Sequence, residues 1–405
     1  MISKLYIENF RSIKKAELPL GKITVLTGAN NSGKSSLLYG FLVLRDFVMN
    51  PNQPLEGLFA LPFINLGGFQ EVVSRQNPGG EILLGIEAID NELNISVSYK
   101  IELSEYSTKI KTTSSQPFDF NAELQVGLPY SANIKRAFET SKLPENKRFQ
   151  FEWNGLSGSL TEGNHPTPSD RGKFEIAINK PLEALLLSDF VPMKRGFSKP
   201  YYAPVSINGN VNNEDEIATL IFNSRGTEVT NLRHYFKEIT DRDLLTRVQK
   251  PTLVFSITAI QNKGTTHEQI TNIVNEGTGT NQLLTILAKV LQPNKKFICI
   301  DEPEIHLHPS MVRKLATALL EIAEKQDKQF LISTHSEHFV QALMGQVAEK
   351  KAAPDDVKVY FLEREGPETT IEAQPINEKG QIAGGLSHFY ESELSDLQSF
   401  FKLVD

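Results

Sequence analysis

A glycine-rich stretch near the N-terminus has the residue types and spacing of a phosphate-binding loop. Residues 28–36 read Gly-Ala-Asn-Asn-Ser-Gly-Lys-Ser-Ser, which is a glycine, four free positions and then Gly-Lys-Ser. A loop that wraps a triphosphate points successive backbone N–H groups inward, and glycine removes the Cβ that would block them. By this template Lys34 reaches the β- and γ-phosphates, and the Ser35 hydroxyl is a ligand of Mg²⁺. The predicted nucleotide-binding residues of this loop are Gly28, Asn30, Asn31, Ser32, Gly33, Lys34, Ser35 and Ser36.

An apolar strand that ends in two acids supplies the second part of such a site. Residues 296–302 read Lys-Phe-Ile-Cys-Ile-Asp-Glu, and a strand buried on both faces is a continuous apolar run of this kind. Its carboxyl end is where an open α/β sheet binds its ligand. We predict that Asp301 holds Mg²⁺, directly or through water, and that Glu302 is the general base for the attacking water. The alternative is a pair of solvated acids at a strand end.

A histidine follows another apolar strand, in the sequence Ser-Thr-His-Ser at residues 333–336. At this strand end His335 can contact the γ-phosphate and help to position water. We therefore predict a catalytic role for His335 together with Glu302 and Lys34. The alternative is a histidine in a loop that caps the next helix.

Two glycines precede an apolar helix at residues 275–282, which read Asn-Glu-Gly-Thr-Gly-Thr-Asn-Gln. The exposed N–H groups and positive end of a helix start bind anions. Because the phosphate loop already serves the nucleotide of its own subunit, we predict that this helix start contacts a nucleotide held by another copy. The residues predicted to make that contact are Gly277, Thr278, Gly279 and Gln282.

The composition excludes several classes of protein. The chain has 405 residues, of which 40% are hydrophobic and 22% charged, as in soluble globular proteins, and no apolar run approaches the ~18 residues of a membrane span. A net charge of −7 argues against a surface built for nucleic acid, although a local basic groove for DNA stays open. The single cysteine, Cys299, allows no intrachain disulfide, and the N-terminus lacks the apolar core of a signal peptide. We expect a cytoplasmic protein.

The periodicity of the sequence divides the chain into segments 1–54, 55–250 and 251–405. The first segment holds the strand, loop and helix of the phosphate site, and the last returns to strands alternating with helices after a β-rich insertion. Within the insertion we predict strands at 81–89, 94–103, 118–126, 149–153 and 173–178, and helices at 133–140 and 214–222. We therefore expect an α/β nucleotide core that is split by the insertion.

Two loops have open interpretations. His306 and His308 form a His-x-His pair that could bind zinc, but a loop directly after the acids is better explained as part of a dimer interface. Lys194, Arg195 and Lys199 lie near prolines. Three interpretations stay open for these side chains: contact with a nucleotide, contact with a partner, or exposure to solvent only.

Taken in order, these motifs resemble those of ABC-type ATPases of the SMC/RecF/OLD class. The resemblance rests on Asn9-Phe10-Arg11-Ser12, the phosphate loop, the Gly-Thr-Gly-x-x-Gln stretch, residues 301–309 and Ser333-Thr334-His335-Ser336. More narrowly, the chain is similar to stand-alone AAA-labelled ATPases of bacteria, several of which serve anti-phage systems beside a nuclease. The similarity covers both ends of the chain well and the middle loosely, with weaker likeness at 190–195 and 359–364.

The resemblance implies an α/β phosphate-loop NTPase fold of the ABC/SMC-head type, in which two heads close face to face on two ATP molecules. Each nucleotide then lies between Lys34 of one subunit and the Gly277–Gln282 signature of the other, with Arg11 nearby and the 306–309 loop crossing the interface. Thr278 departs from the serine that is usual in the family. No long coiled-coil arms are predicted, because sustained heptads are missing. No TOPRIM nuclease domain is predicted, because only about sixty residues follow the His335 helix, without Asp-x-Asp.

We therefore expect a Mg²⁺-dependent ATPase switch that acts as a homodimer on a partner effector, a nuclease or toxin, in anti-phage defence or DNA repair. An alternative of another class is an ATP-dependent scaffold that sequesters a toxin or nuclease and hydrolyses slowly. A transporter ATPase subunit fits less well, because of the Phe10-Arg11-Ser12 start and the large insertion. A GTPase fits least, since the sequence has no Asn-Lys-x-Asp motif.

Overall fold

The computed structural model describes residues 1–74, 79–145, 147–161, 166–207 and 209–382. The strands are β1 Ile2–Phe10, β2 Ile13–Pro19, β3 Ile23–Thr27, β4 Ala60–Leu61, β5 Ile64–Asn65, β6 Ile82–Asp90, β7 Ile95–Leu103, β8 Thr108–Gln116, β9 Phe118–Val126, β10 Arg136–Lys142, β11 Lys147–Trp153, β12 Gly158–Leu160, β13 Ser188–Val191, β14 Asp243–Gln249, β15 Val254–Gln261, β16 Gln269–Asn272, β17 Phe297–Asp301, β18 Gln329–Ser333, β19 Val357–Glu365 and β20 Glu368–Ala373. The helices are α1 Lys34–Met49, α2 Phe69–Val72, α3 Pro168–Leu186, α4 Glu214–Asn223, α5 Gly226–Thr240, α6 Thr278–Val290, α7 Pro309–Gln326 and α8 Glu337–Ala348.

A six-stranded sheet lies at the centre of the nucleotide core, in the order β13-β17-β18-β3-β19-β20. Neighbouring strands are parallel except at the β19–β20 edge. Every residue of β3, β17 and β18 is buried, as expected for parallel strands covered on both faces. Parallel strands place their carboxyl ends at one edge of the sheet. The phosphate loop, the acidic pair and the histidine therefore emerge at the same edge.

Two apolar cores cover the two faces of this sheet. Successive side chains of a strand point to opposite faces: Phe297 and Cys299 of β17 belong to the core that includes α1 and α3. Ile298 and Ile300 belong to the core built with α4 to α8. Each fully buried large apolar side chain contributes ~1.5–3 kcal/mol relative to an exposed one, so the sheet edge that carries the polar residues rests on a rigid support.

A nine-stranded antiparallel sheet contains most of the insertion, in the order β12-β11-β10-β9-β8-β7-β6-β1-β2. β7 alternates buried and half-buried residues along its whole length, which is the pattern of a sheet with one covered face. Phe174 of α3 packs on that face, where its ring contacts Phe118 and Phe151. The sheet also contacts the nucleotide core, because Gly40 of α1 leaves room for Ile7 of β1, whose Cδ1 would lie 2.7 Å from a Cβ at position 40.

Two sequence predictions within the insertion are wrong. The predicted helix at 133–140 is instead strand β10, which pairs along its length with β11. The predicted strand at 173–178 lies inside α3, where the Thr167 hydroxyl accepts a hydrogen bond from the Asp170 N–H and Pro168 is the first helical residue, both of which favour a helix start. In each case a short stretch fits the periodicity of a helix and that of a strand, and contacts with the rest of the fold determine which one forms.

Strand pairing crosses the boundaries of the predicted three-part division, which stays a prediction. β1 and β2, from the first segment, pair within the nine-stranded sheet, and β13, from the second, pairs with β17 of the parallel sheet. Within the described ranges the longest helix is α3, with 19 residues, so that part of the chain has no long coiled-coil arm. No helix of the described residues is both long and apolar enough to cross a membrane.

Candidate functional site

The phosphate loop connects β3 to α1, and its shape depends on two glycines. Gly28 has a φ of 140° and Gly33 a φ of 102°, in a region that residues with a Cβ rarely adopt. A Cβ at Gly28 would lie 2.1 Å from the carbonyl oxygen of Leu362 in β19. Lys34 is buried, and its ammonium donates to the carbonyl oxygens of Gly28 and Ala29, both at 2.8 Å. The lysine therefore occupies the inner side of the loop, where burial lowers its pKa against the opposing effect of nearby carboxylates.

The other predicted residues of the loop lie in different environments. Asn30 and Asn31 are exposed, whereas Ser32 and Ser36 are buried. The Ser32 Oγ has no hydrogen-bond partner among the described residues. Thr369 of β20 donates its hydroxyl to the Ser32 carbonyl oxygen at 2.9 Å, so the edge strand holds the outer side of the loop.

Asp301 lies at the end of β17, directly beside the phosphate loop. Its Oδ1 accepts hydrogen bonds from the hydroxyls of Ser35, at 3.4 Å, and of Ser333. Its Oδ2 accepts one from the Tyr39 hydroxyl at 3.4 Å. Burial raises the pKa of Asp301, and the Ser333 hydrogen bond opposes that rise. The sequence prediction omits Tyr39, although it follows Ser35 by four positions and so lies on the same face of α1.

Glu302 and His335 follow adjacent strands and face each other. The His335 Nδ1 lies 3.8 Å from the Glu302 Oε1 and 3.2 Å from the Glu304 Oε1. Interaction with His335 lowers the pKa of Glu302. In turn, interaction with Glu302 and the charge of Glu304 raise the pKa of His335. Glu302 also has a left-handed backbone, with a φ of 46°, and its N–H donates to the Ser333 carbonyl oxygen at 3.0 Å.

Glu304 is a member of the site that sequence reasoning used only as part of a motif. It is buried, and its Oε1 accepts hydrogen bonds from the Thr334 hydroxyl at 2.7 Å and from the His335 N–H at 2.8 Å. Its Oε2 has no partner within the described residues. The carboxylate thus fixes the backbone of the histidine loop, and its spacing after the acidic pair is the signal that identifies it.

Arg195 connects the acidic strand end to α6. Its guanidinium donates to the carbonyl oxygens of Asp301, at 2.9 Å, and Glu302, at 2.8 Å. Burial lowers the pKa of Arg195 to about 10. Two residues further on, the Phe197 N–H donates to the Asn281 Oδ1 at 2.6 Å, and the Asn281 Nδ2 donates back to the Phe197 carbonyl oxygen at 2.8 Å. Of the interpretations left open by the sequence, a solvated Arg195 is wrong, because the guanidinium is buried against the backbone of the two acids; contact with a nucleotide or a partner stays a prediction.

The start of α6 is exposed at Gly277 and Thr278. A Cβ on Gly277 would meet no atom within 4 Å, whereas a Cβ on Gly279 would lie 2.3 Å from the His306 carbonyl oxygen. The loop after the acids therefore packs against the second glycine of the pair and leaves the first open. The side chain of Gln282 lines an adjacent cleft, and its buried Oε1 has no partner in the described part of the chain.

His308, one of the two histidines considered for zinc, caps a helix. Its Nδ1 accepts a hydrogen bond from the Ser310 N–H at 3.3 Å, at the first turn of α7. Pro309 follows as the first residue of that helix, a position that proline favours.

Arg11 and Arg364 lie on the other side of the phosphate loop. Both line a cleft of about 500 Å³ together with Asn31 and Gly33. The Arg11 guanidinium lies 5.7 Å from the centre of the Tyr39 ring, and the Arg364 Nη1 donates to the Asn31 Oδ1 at 3.4 Å. Burial lowers the pKa of Arg11, and the charge of Arg364 lowers it further. The cleft is a basic pocket next to the loop, in which Arg364 was flagged only by a weak sequence likeness.

The residues of this site fit a nucleoside triphosphate together with Mg²⁺. The inner side of the loop carries the Lys34 ammonium, and the buried Ser32 hydroxyl lacks a partner in the part of the chain that the structure describes, as expected of a loop whose polar groups bind a ligand. Ser35 and Asp301 bring two oxygen atoms within 3.4 Å of each other, and oxygen is the ligand type that Mg²⁺ prefers. The chemistry of the donor set therefore suits both groups.

Comparison with known proteins gives one family and a set of remote structural likenesses. A family model described as "AAA domain, putative AbiEii toxin, Type IV TA system" matches residues 23–341. Comparison with curated proteins finds no match. Among solved structures, the SMC head domain from Thermotoga maritima is 11% identical over 93% of this chain and 99% of that chain, with a TM-score of 0.45. A Smc head domain with an extended coiled coil, bound to the C-terminal domain of ScpA derived from Pyrococcus furiosus, is 13% identical over 98% and 99%, with a TM-score of 0.43.

Structural similarity with so low a sequence identity gives no information about the activity or the partners of this chain. The family assignment therefore rests on the match to the family model. That match begins at β3, includes the phosphate loop, and extends past His335. The chain therefore belongs to the AAA-domain family whose description is given above.

Proposed function

We propose that this protein binds ATP together with Mg²⁺ and hydrolyses it. The observation that carries the proposal is the meeting of Ser35 and Asp301, 266 positions apart in sequence and 3.4 Å apart in space. In the proposed complex the loop N–H groups and Lys34 bind the β- and γ-phosphates, and Ser35 and Asp301 would hold Mg²⁺. Membership of an AAA-domain family supports ATP as the nucleotide.

In the proposed reaction a water molecule attacks the γ-phosphorus, and the bond from that phosphorus to the β,γ-bridging oxygen breaks. Glu302 accepts the water proton, since its interaction with His335 lowers its pKa and keeps it ionised. A general base of this kind contributes about 10²–10⁴-fold in rate. His335, whose loop is held by Glu304, orients the water and the γ-phosphate. Bound Mg²⁺ would supply neutralisation of the charge on the β- and γ-oxygens.

The exposed start of α6 supports a site that a second copy completes. The first N–H groups of a helix have no intrahelical partner, and they favour anions. Gly277 and Thr278 present such a start to solvent. We propose that these residues, with Gly279 and Gln282, contact the γ-phosphate of ATP bound to the other copy, so that ATP joins two copies face to face.

The Glu302→Gln variant tests both halves of the proposal. With ATP and Mg²⁺ we expect turnover to fall about 10²–10⁴-fold, ATP to remain bound, and light scattering to show twice the monomer mass. Glu365→Gln, at an exposed glutamate of β19, is the matched control and should behave as wild type. Unchanged hydrolysis in Glu302→Gln overturns the assignment of the base. An ATP-loaded variant that stays monomeric overturns the shared site.

We further propose that ATP-driven closing controls a protein effector, a nuclease or toxin, in anti-phage defence or DNA repair. The family description names a toxin of a type IV toxin–antitoxin system, which supports the defence setting. An affinity pull-down with Glu302→Gln as bait tests this, with Glu302→Gln/Lys34→Ala as the control bait that lacks the nucleotide. We expect an effector retained only by the first bait, and equal retention by both contradicts control by ATP.

A second candidate is an ATP-dependent scaffold that sequesters a toxin or nuclease and turns over slowly. The family description names a toxin–antitoxin system, and in such a system one protein can restrain another without rapid turnover. Measured turnover in the presence of the captured effector separates the two. The ATP hydrolysis rate of a switch rises when the effector binds or leaves. A scaffold instead keeps one ATP bound per site over many minutes.

A further inference from the structure

We propose a second anion site, for a small oxyanion such as phosphate, in a partly open cavity between α1 and α6. The cavity has a volume of about 130 Å³, and none of the phosphate-loop residues lines it. Arg45 follows Lys34 by eleven positions on α1, which at ~1.5 Å per residue places it ~16 Å along the helix. The cavity is therefore separate from the nucleotide site proposed above.

The main evidence is the guanidinium of Arg45. This side chain lines the cavity and is only 9% exposed, and its Nε has no hydrogen-bond partner among the described residues. An arginine keeps its charge in proteins, so burial of its Nε–H without an acceptor is unfavourable. The nearby buried carboxylate, Asp189, is already engaged, because its Oδ1 lies 3.1 Å from the Lys289 Nζ.

Three buried bases and one buried acid lie around the cavity. Arg45, Lys289 and Lys295 are 9%, 2% and 5% exposed, and the buried acid among them is Asp189, at 1%. Burial lowers the pKa of Lys295, and the charges of Arg45 and Lys289 lower it further although Asp189 opposes them. The three bases therefore repel one another, and an oxyanion in the cavity would relieve that repulsion.

Two further acids near the cavity have partners of their own. Asp46 is on its lining, but its Oδ1 accepts from the Asn50 Nδ2 at 2.9 Å and its Oδ2 from the Gln53 Nε2 at 2.7 Å. Glu216 is half-buried, and its Oε2 accepts from the Asn212 N–H at 2.7 Å. Both carboxylates keep their charge, but the hydrogen bonds that they accept come from amide groups and not from the Arg45 Nε.

The size and lining of the cavity indicate the chemical class of the ligand. A single water needs about 10–15 Å³ of such volume, so 130 Å³ accommodates an anion of several heavy atoms. A guanidinium and an ammonium recognise oxyanions through charge-assisted hydrogen bonds. Apolar side chains, including Leu42, Leu61 and Phe63, complete the wall and strengthen those bonds by excluding water.

Equilibrium dialysis with radiolabelled phosphate, at fixed ionic strength and without nucleotide, tests the site on the full chain. The Lys34→Ala variant weakens the phosphate loop, and substitution of Arg45 in that background shows whether the phosphate that remains bound lies in the cavity. We expect Lys34→Ala to bind one phosphate, and Lys34→Ala/Arg45→Met to bind it at least ten-fold more weakly. Arg45→Lys should recover part of the affinity, and Lys351→Met, at an exposed lysine, should change nothing.

Leu42→Phe provides a second variant that keeps every charge and fills the cavity. It should also weaken phosphate binding at least ten-fold in the Lys34→Ala background, while circular dichroism and cooperative thermal unfolding verify the fold. Acetate in place of phosphate distinguishes a carboxylate ligand from a tetrahedral one. The proposal is overturned if Lys34→Ala binds no phosphate, or if Arg45→Met and Leu42→Phe both bind it as tightly as their parent. ATP binding is tested with substitutions of Lys34, and phosphate binding in the cavity with substitutions of Arg45 and Leu42. Either proposal can therefore be overturned while the other stands.

Discussion

Two helices of this molecule begin after glycines at the ligand edge of the core, and their surroundings differ. At α1, Gly28 and Gly33 have left-handed backbones, and the carbonyl of Leu362 leaves no space for a Cβ at the first. At α6, Gly277 has an ordinary φ of −55°, and a Cβ there would meet no atom within 4 Å. One helix start is enclosed by its own chain and is preorganised for phosphate. The other is open, as a surface that completes another copy's site would be.

The two helix starts are nevertheless mechanically connected. Arg195 holds the backbone of Asp301 and Glu302, and two residues later Phe197 exchanges a pair of hydrogen bonds with Asn281 of α6. A shift of α6 would therefore displace the backbone of Glu302, the proposed base. The comparison thus predicts large effects for changes in the enclosed start, intermediate effects in the connection and small effects in the open start.

Among changes at the two helix starts and their connection, the largest expected effect follows from Lys34→Ala. Removing the one ammonium inside the enclosed loop takes away a preorganised charge at the position of the γ-phosphate, and such losses cost about 10²–10³-fold in kcat. Steady-state ATPase assays and nucleotide titration provide the measurement. Lys351→Ala, at an exposed surface lysine, is the control, and equal turnover in the two variants would show that the loop does not bind ATP.

The paired variants Gly28→Ala and Gly277→Ala test the difference in backbone directly. Alanine at position 28 must adopt a φ near 140° with its Cβ against the Leu362 carbonyl oxygen, so we expect the free energy of unfolding to fall by about 3 kcal/mol. Alanine at position 277 has open space and an allowed φ, so its effect should stay within about 0.5 kcal/mol. Urea unfolding of the two proteins measures both values. Equal destabilisation would remove the contrast between the enclosed and the open helix start.

Arg195→Met tests the connection. Methionine keeps the apolar stem but loses the hydrogen bonds to the Asp301 and Glu302 carbonyl oxygens, so the base is held less well while the phosphate loop is untouched. We expect kcat to fall about ten-fold, equivalent to about 1.4 kcal/mol, with little change in KM. Arg195→Lys should restore part of kcat, since a lysine can reach one carbonyl. A change confined to KM would assign Arg195 to nucleotide binding instead of positioning.

The sequence predicts the enclosed region better than the rest, for physical reasons. The phosphate loop and the buried strands β3, β17 and β18 are encoded by contiguous residues, so local spacing is enough to identify them. The insertion is different: whether residues 133–140 form a helix or a strand depends on β11, a partner that local periodicity does not specify. Residues 173–178 were likewise misassigned because six residues are too few to separate the two periods.

Within the site, the residues that the sequence missed are those whose role depends on a fold-level contact. The spacing of Tyr39 and Glu304 from known motif positions could have marked them as candidates, yet the groups that they contact, Asp301 and the His335 loop, are known only from the packing of the strands and α1. Arg195 is more than one hundred positions from the acids it supports, so no local pattern could assign it. The expected roles of Gly277, Thr278 and Gln282 stay predictions, because they depend on a second copy.

The smallest effects are expected at Thr278, and they separate its hydroxyl from its methyl. Thr278→Ser keeps the hydroxyl and loses an exposed methyl worth less than the ~0.8 kcal/mol of a buried one, so turnover should stay within about three-fold of wild type. Thr278→Val keeps the shape and loses the hydroxyl, and loss of one hydrogen bond at this exposed position should cost about 1 kcal/mol, which is less than the change at Arg195. Both are measured as turnover against protein concentration, since an open helix start acts only where two copies meet. If Thr278→Val hydrolyses ATP like wild type while Glu302→Gln still forms the ATP-bound dimer, the open start does not touch the phosphate and the α1 site is sufficient alone.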